Sequence, residues 1–189
     1  MGFFDNDKNI DDYVRMADGY DGRSLIERLR AVLPEKSSVL ELGMGPGVDL
    51  DMLSDTFTAT GSDLSSLFLD RYREQHDNAD LLLLDAVTIH TDRRFDGIYS
   101  NKVLHHLTED ELRASLERQA QVLNPGGCAM HSFWRGSEKS EMKGLLFNYY
   151  LEDELRAILE GVFDVREMQR YREFADDDSI YVLLEPRQT

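Results

Sequence analysis

The chain has 189 residues, 41% of them hydrophobic, which suits one globular domain with a sizeable core. Its 37 acidic and 21 basic side chains leave a net charge of −16, a surface that repels phosphate backbones and argues against nucleic acid as a general partner. No apolar run nears the ~18 residues of a membrane span, and the polar, acidic N-terminus is not a secretory signal. The default compartment is therefore the cytoplasm. The single cysteine, Cys128, cannot form an internal disulfide and sits in an apolar run as a small core residue.

Residues 11–33 carry Tyr13, Met16, Ala17, Tyr20, Leu25, Leu29 and Val32 at helical spacing, and Pro34 ends the pattern. Strand and helix signals then alternate. Strands are predicted over 39–42, 58–62 and 95–100, with helices over 48–55 and 65–76 between them. Leu81–Leu84 is a short continuous apolar run, the kind expected in a parallel strand buried on both faces. Thr108-Glu109-Asp110-Glu111 is a capping box that opens a helix to about Val122. Asn124-Pro125-Gly126-Gly127 reads as a turn, and Cys128–Phe133 as the fifth strand. Residues 134–150 form a polar, then aromatic, insertion. A helix over 152–160 follows, then an antiparallel pair over 163–170 and 179–184. This order predicts an α/β fold with a doubly wound, Rossmann-like seven-stranded sheet, mostly parallel with an antiparallel last strand and helices on both faces.

The segment Val39-Leu40-Glu41-Leu42-Gly43-Met44-Gly45-Pro46-Gly47 is the most informative in the chain. A buried strand ends in a carboxylate, and alternating glycines lead to a helix near Val48. Glycines allow a backbone to approach a ligand closely, and a helix N-terminus suits an anion. The spacing is Gly-x-Gly-x-Gly, not the G-x-G-x-x-G of dinucleotide folds.

Several segments, in order and spacing, resemble the class I S-adenosylmethionine (SAM) methyltransferases. Glu41–Gly47 resembles motif I. Gly61-Ser62-Asp63-Leu64-Ser65 is similar to the end of the second strand, and Leu84-Asp85-Ala86 to the end of the third. Phe95–Leu107, with Asn101, Lys102, His105 and His106, resembles motif IV and its following segment. Leu123–Gly127 is similar to the motif before strand five, and Tyr13–Asp21 to a helix that covers the cofactor. The resemblance spans Tyr13 to Glu185.

The resemblance implies S-adenosylmethionine as cofactor, with Tyr13, Tyr20, Glu41, Gly43, Gly45, Gly47, Asp63, Leu64, Asp85, Ala86 and Asn101 around it. Asp63 would face the ribose hydroxyls, or alternatively cap the next helix. Asp85 would face the adenine amino group, and Ala86 N–H a ring nitrogen. Glu41 would orient the loop and reach the methionine amino group. His106 and His105 are the candidate general bases, each with packing as the competing role. Adjacent residues of a helix point about 100° apart, so one of the two at most would face the methyl group. No metal is expected, since Lys102 and His105 stand where a metal would need carboxylates.

The expected acceptor is a small molecule, because the chain reads as one methyltransferase domain over 1–189. Within it, residues 1–36 form a helical cap. The insertion 134–150, with Trp134, Phe147, Tyr149 and Tyr150 among Arg135, Lys139 and Lys143, is either an acceptor lid or packing for the last helix. Two other functions compete: a SAM-binding subunit or regulator without turnover, and an NAD-linked oxidoreductase. The glycine spacing and the lack of a separate substrate domain weigh against the oxidoreductase.

Overall fold

The computed structural model describes Arg15, Gly19, residues 21–142 and residues 144–187. Tyr13, Met16, Ala17, Tyr20 and Lys143 lie outside the described residues. Seven strands form the main sheet: β1 (Ser38–Leu42), β2 (Thr58–Asp63), β3 (Leu81–Leu83), β4 (Phe95–Asn101), β5 (Leu123–Trp134), β8 (Phe163–Tyr171) and β9 (Ser179–Pro186). Their order is β3-β2-β1-β4-β5-β9-β8. β9 pairs antiparallel with both β5 and β8, and the other pairings are parallel. The chain order reverses between β1 and β4, so the switch point lies at their carboxyl ends, where open α/β sheets bind ligands.

Alternation along the strands sends side chains to two apolar layers. Leu40, Ile98, Ala129 and Phe133 pack with Leu112, Leu116, Leu155 and Leu159 of α4 (Glu109–Val122) and α5 (Glu152–Leu159). Val39, Tyr99, Cys128 and Met130 meet Leu25, Ile26 and Leu29 of α1 (Arg23–Arg30) and Leu53 of α2 (Val48–Ser54) on the other face. Cys128 is a buried core residue, as expected. A smaller cluster sets Met44 and Leu50 against Leu69 and Tyr72 of α3 (Ser66–Arg73). The Thr108 capping box opens α4: its hydroxyl accepts the Glu111 N–H, and the Glu111 carboxylate accepts the Thr108 N–H.

Three expectations change. The apolar run at 81–84 is not buried on both faces: β3 is an edge strand, and Leu83 is 61% exposed. Residues 124–127 do not interrupt the strand but swell it. Leu123 pairs with Phe95 and Cys128 with Gly97, so the segment between them bulges within β5. The insertion contains an antiparallel hairpin, β6 (Lys139–Met142) and β7 (Leu145–Asn148). Among the described residues no helix is long and apolar enough to cross a membrane.

Candidate active site

The loop after β1 carries Gly43, Gly45 and Gly47 at φ of +66°, +51° and +88°, a region that favours glycine. The space beside two of them is filled by the chain itself. A Cβ on Gly43 would stand 2.7 Å from both Val103 methyls, and one on Gly47 2.3 Å from the Tyr72 ring. α2 then begins with Asp49 and Asp51 in its first turn. These two carboxylates lie at the positive end of the helix dipole, and no side chain caps its first N–H groups among the described residues.

Four carboxylates gather at this end of the sheet. Asp63, buried at the end of β2, takes the Gly45 N–H on Oδ2 (2.9 Å) and the Ser65 N–H on Oδ1 (2.8 Å). It thus fastens the glycine loop to the start of the next helix. Burial raises its pKa, opposed by these N–H groups. Asp49, also buried, accepts from Gly22 N–H (2.8 Å), Tyr99 Oη (2.7 Å) and Asn101 Nδ2 (3.1 Å). Asp51 takes the Tyr72 hydroxyl. Glu41 is 3% exposed, and its Oε2 has no hydrogen-bond partner. Desolvation, then the charges of Asp49, Asp63 and Asp51, push its pKa well above the carboxylate range.

At the end of the neighbouring strand, Asn101 Oδ1 accepts the Ser132 hydroxyl (2.6 Å). Lys102 follows with φ +55°, an uncommon conformation for a side chain of this size. A 3-10 turn, Leu104–His106, then presents two histidines. Their rings touch, with centroids 3.9 Å apart. His106 Nδ1 bonds the Leu146 carbonyl oxygen at 2.5 Å, so this ring anchors the β6–β7 hairpin, together with Asn148 Nδ2 on the Leu107 carbonyl. His105 is 2% exposed, and neither ring nitrogen has a partner. It is walled by Phe147 (5.5 Å between centroids) and Trp134 (6.4 Å). Burial pushes both histidines below their usual pKa, His105 further, so both are neutral at pH 7.

The aromatic insertion divides. Trp134 and Phe147 flank His105, Tyr149 stacks on Trp134 (6.3 Å), and Tyr150 packs edge-on against Phe133 in the core (5.6 Å). Arg135 is held by Glu152 at 3.0 Å.

On the other side of β1, Leu64 is 69% exposed at the end of β2, beside the loop that follows β3. In that loop Asp85 Oδ1 takes the Val87 N–H (2.7 Å), and the Ala86 carbonyl takes the Ser115 hydroxyl (2.6 Å). Behind Ser115 runs a buried chain. Gln119 Nε2 donates to Ser115 Oγ (3.1 Å), His131 Nε2 to Gln119 Oε1 (2.8 Å), and Ser100 Oγ to His131 Nδ1 (2.8 Å).

Sequence reasoning passed over Asp49, Lys102 and His131 as site or supporting residues. Asp49 had a signal, since it is an acid two positions after the last glycine. The partners of the other two come from distant strands and left none.

The glycine loop, the acids ending β1 and β2, and a seven-stranded sheet with one antiparallel strand define a class I methyltransferase fold. Residues 39–127 match the family model described as Methyltransferase domain. No curated protein matches the chain in sequence. Several solved structures share the whole fold. One is the 1,6-didemethyltoxoflavin-N1-methyltransferase of Burkholderia thailandensis, bound to 1,6-didemethyltoxoflavin and S-adenosylhomocysteine. It is 21% identical, with a TM-score of 0.81 over 94% of this chain and 83% of that one. A second is a SAM-dependent methyltransferase from Clostridium acetobutylicum, 13% identical, with a TM-score of 0.76 over 93% and 98%. A third is the N-methyltransferase NodS of Bradyrhizobium japonicum in complex with S-adenosylhomocysteine, 18% identical, with a TM-score of 0.73 over 98% and 95%.

Proposed function

We propose that this chain transfers a methyl group from S-adenosylmethionine to a free small-molecule acceptor in the cytoplasm. The observation that carries the reading is the unpartnered Glu41 Oε2, buried among Asp49, Asp51 and Asp63. An orphaned buried carboxylate is costly, and a cation that donates hydrogen bonds relieves it. The α-ammonium of S-adenosylmethionine is such a group, so the residues present fit the cofactor. Glu41, the Gly43–Gly47 loop, Asp63, Leu64, Asp85, Ala86 and Asn101 would hold it, with Tyr13 and Tyr20 from the 1–36 cap. When bound, it supplies a methyl on a sulfonium whose departing half is neutral, so no acid is needed for leaving.

The chain's own contribution is positioning, which in favourable cases is worth roughly 7–11 kcal/mol. Asp63 sets the loop, and Asn101, clasped between Asp49 and Ser132, sets the end of β4. Trp134 and Phe147 exclude water from the acceptor side, with 134–150 as its lid. His105 is the acceptor-side group: its neutral imidazole has two free nitrogens, able to orient an acceptor or take its proton. His106 holds the lid hairpin. The −16 surface supports an acceptor other than nucleic acid.

The test is calorimetric titration with S-adenosylhomocysteine, with NADH as control, followed by an acceptor screen with methyl-labelled S-adenosylmethionine. Saturable binding of the first alone, and label transfer to a small molecule, are expected. Binding of NADH alone, or no binding to folded protein, would overturn the assignment.

A further inference from the structure

Lys102 joins two groups of hydrogen-bonded residues, one through its backbone and one through its amine. On the cofactor side, its backbone N–H donates to Ser132 Oγ (3.0 Å), Ser132 donates to Asn101 Oδ1, and Asn101 Nδ2 donates to Asp49, which also holds the Gly22 N–H. On the acceptor side, Nζ donates to the Phe133 carbonyl (3.0 Å) and Ser179 Oγ (2.6 Å). Ser179 in turn donates to Asp178 (2.9 Å), whose carboxylate also gathers the N–H groups of Glu173, Phe174 and Ala175. The same Nζ lies 3.8 Å from the Trp134 ring centroid and 5.1 Å from that of Tyr171. Every donor in this string points at an acceptor, so the string runs unbroken from Gly22 to Asp178.

Two features separate Lys102 from an ordinary packed lysine. Its backbone is held at φ +55° where β4 ends, and such strain persists only where the surroundings enforce it. Its amine also rests on a carbonyl, a hydroxyl and ring faces, with no carboxylate at salt-bridge distance among the described residues. A buried ammonium held by neutral groups gives up its charge easily.

We propose that Lys102 is a positioning residue for methyl transfer, its backbone holding the Asn101 end of the cofactor pocket and its amine holding the Trp134 wall of the acceptor chamber, so that each site senses the other. The proposal rests on the methyltransferase reading above. Desolvation lowers the Lys102 pKa to about 7, against the pull of Glu173 and Asp178. Three of the titratable groups that face it are shifted away from neutrality, and burial moves the fourth, Glu173, toward it. His105 is lowered, Tyr171 and Glu173 are raised from their own ranges, and Asp178 is lowered. Loss of the proton removes the cation from the face of Trp134 but leaves two N–H donors for Phe133 and Ser179.

Trp134 is the single tryptophan of the chain, so its emission reports on the surroundings of this one ring, and the Lys102 variants isolate the lysine's share. The full-length protein is titrated from pH 5.5 to 9 by fluorescence, alone and with S-adenosylmethionine or S-adenosylhomocysteine. A sigmoidal change centred near 7 is expected, and Lys102→Met and Lys102→Arg should both lose it. Arg keeps its charge throughout this range and guards against simple misfolding. The positive sulfonium should lower the midpoint more than S-adenosylhomocysteine does. By reciprocity the affinity for S-adenosylmethionine relative to S-adenosylhomocysteine, which carries the same ammonium, should rise with pH by the same factor, about threefold or more.

A flat titration, or a transition that survives in both variants, overturns the role of Lys102. A lysine-dependent transition that neither bound ligand moves overturns the coupling. If folded protein binds neither ligand, the methyltransferase reading itself fails, and the ligand-free titration still judges Lys102.

Discussion

Asp63 Oδ2 accepts the Gly45 N–H at 2.9 Å, so the acid that ends β2 sets the conformation of the glycine loop that follows β1. With Ser65 N–H on its other oxygen, the carboxylate unites two turns. Asp63→Ala should therefore lower both stability and cofactor affinity. Each lost bond to a charged group contributes roughly 1.5–3 kcal/mol. Chemical denaturation and calorimetry with S-adenosylhomocysteine check the two effects separately. Unchanged affinity would mean that Asp63 is only a cap.

Glu41 should make the ligand-free protein lose stability as pH rises. Its folded pKa is raised, so its stabilising contribution is fully present below the unfolded value of 4.5 and is lost as pH climbs through the folded value. Glu41→Gln should raise Tm at pH 8 more than at pH 5. An ammonium ligand should displace the Glu41 proton, seen as a buffer-dependent heat of binding. A buffer-independent heat, with the same Tm gain at both pH values, would contradict this.

Burial of His131 acts in the opposite direction. Its pKa falls from 6.5 to about 3 through desolvation, because neutral Ser100 and Gln119 hold the uncharged ring. Its contribution is full above 6.5 and is lost as pH drops toward 3. His131→Phe should flatten the acid limb of the stability profile. An acid limb as steep as wild type would assign the loss to other groups.

Gly43 and Val103 should be coupled. Gly43→Ala drives a Cβ into the Val103 methyls at a positive φ, at a cost of roughly 1–3 kcal/mol from the backbone alone. Val103→Ala in the same chain should recover the part due to the clash. A double-mutant cycle by urea unfolding measures it, and strict additivity would exclude contact.

His105→Phe should separate stability from function. Removing two unpartnered buried nitrogens should leave stability equal or higher by about 1–3 kcal/mol, with S-adenosylhomocysteine binding intact. Methyl transfer should drop, by about 100-fold or more if the ring takes a proton. Wild-type turnover in this variant would return His105 to packing.

Much of this fold is legible where local chemistry decides. Thr108 and Glu111 announce α4, and the glycines after Glu41 announce the loop. Position in the sheet is a different matter. Nothing in Leu81–Leu84 says that its strand lies at an edge, because burial there depends on a neighbour that never arrives. Hairpin strand β6 is exposed along its length, so it has no alternation to read. Of the two adjacent histidines, the sequence cannot say that Leu146, forty residues on, engages His106 and leaves His105 unpartnered. The partners of Lys102 Nζ lie 31 and 77 residues away.

The insertion of β9 between β5 and β8 has a consequence for folding order. During synthesis β5 has β4 on one side and an open backbone edge on the other. The strand that closes it is the last element of the sheet to emerge. β8 precedes β9 yet cannot join the sheet without it, since among the described residues β9 is its only strand partner. An open apolar edge invites pairing with other chains. The nascent protein thus carries its greatest aggregation hazard in the interval before residues 179–186 dock.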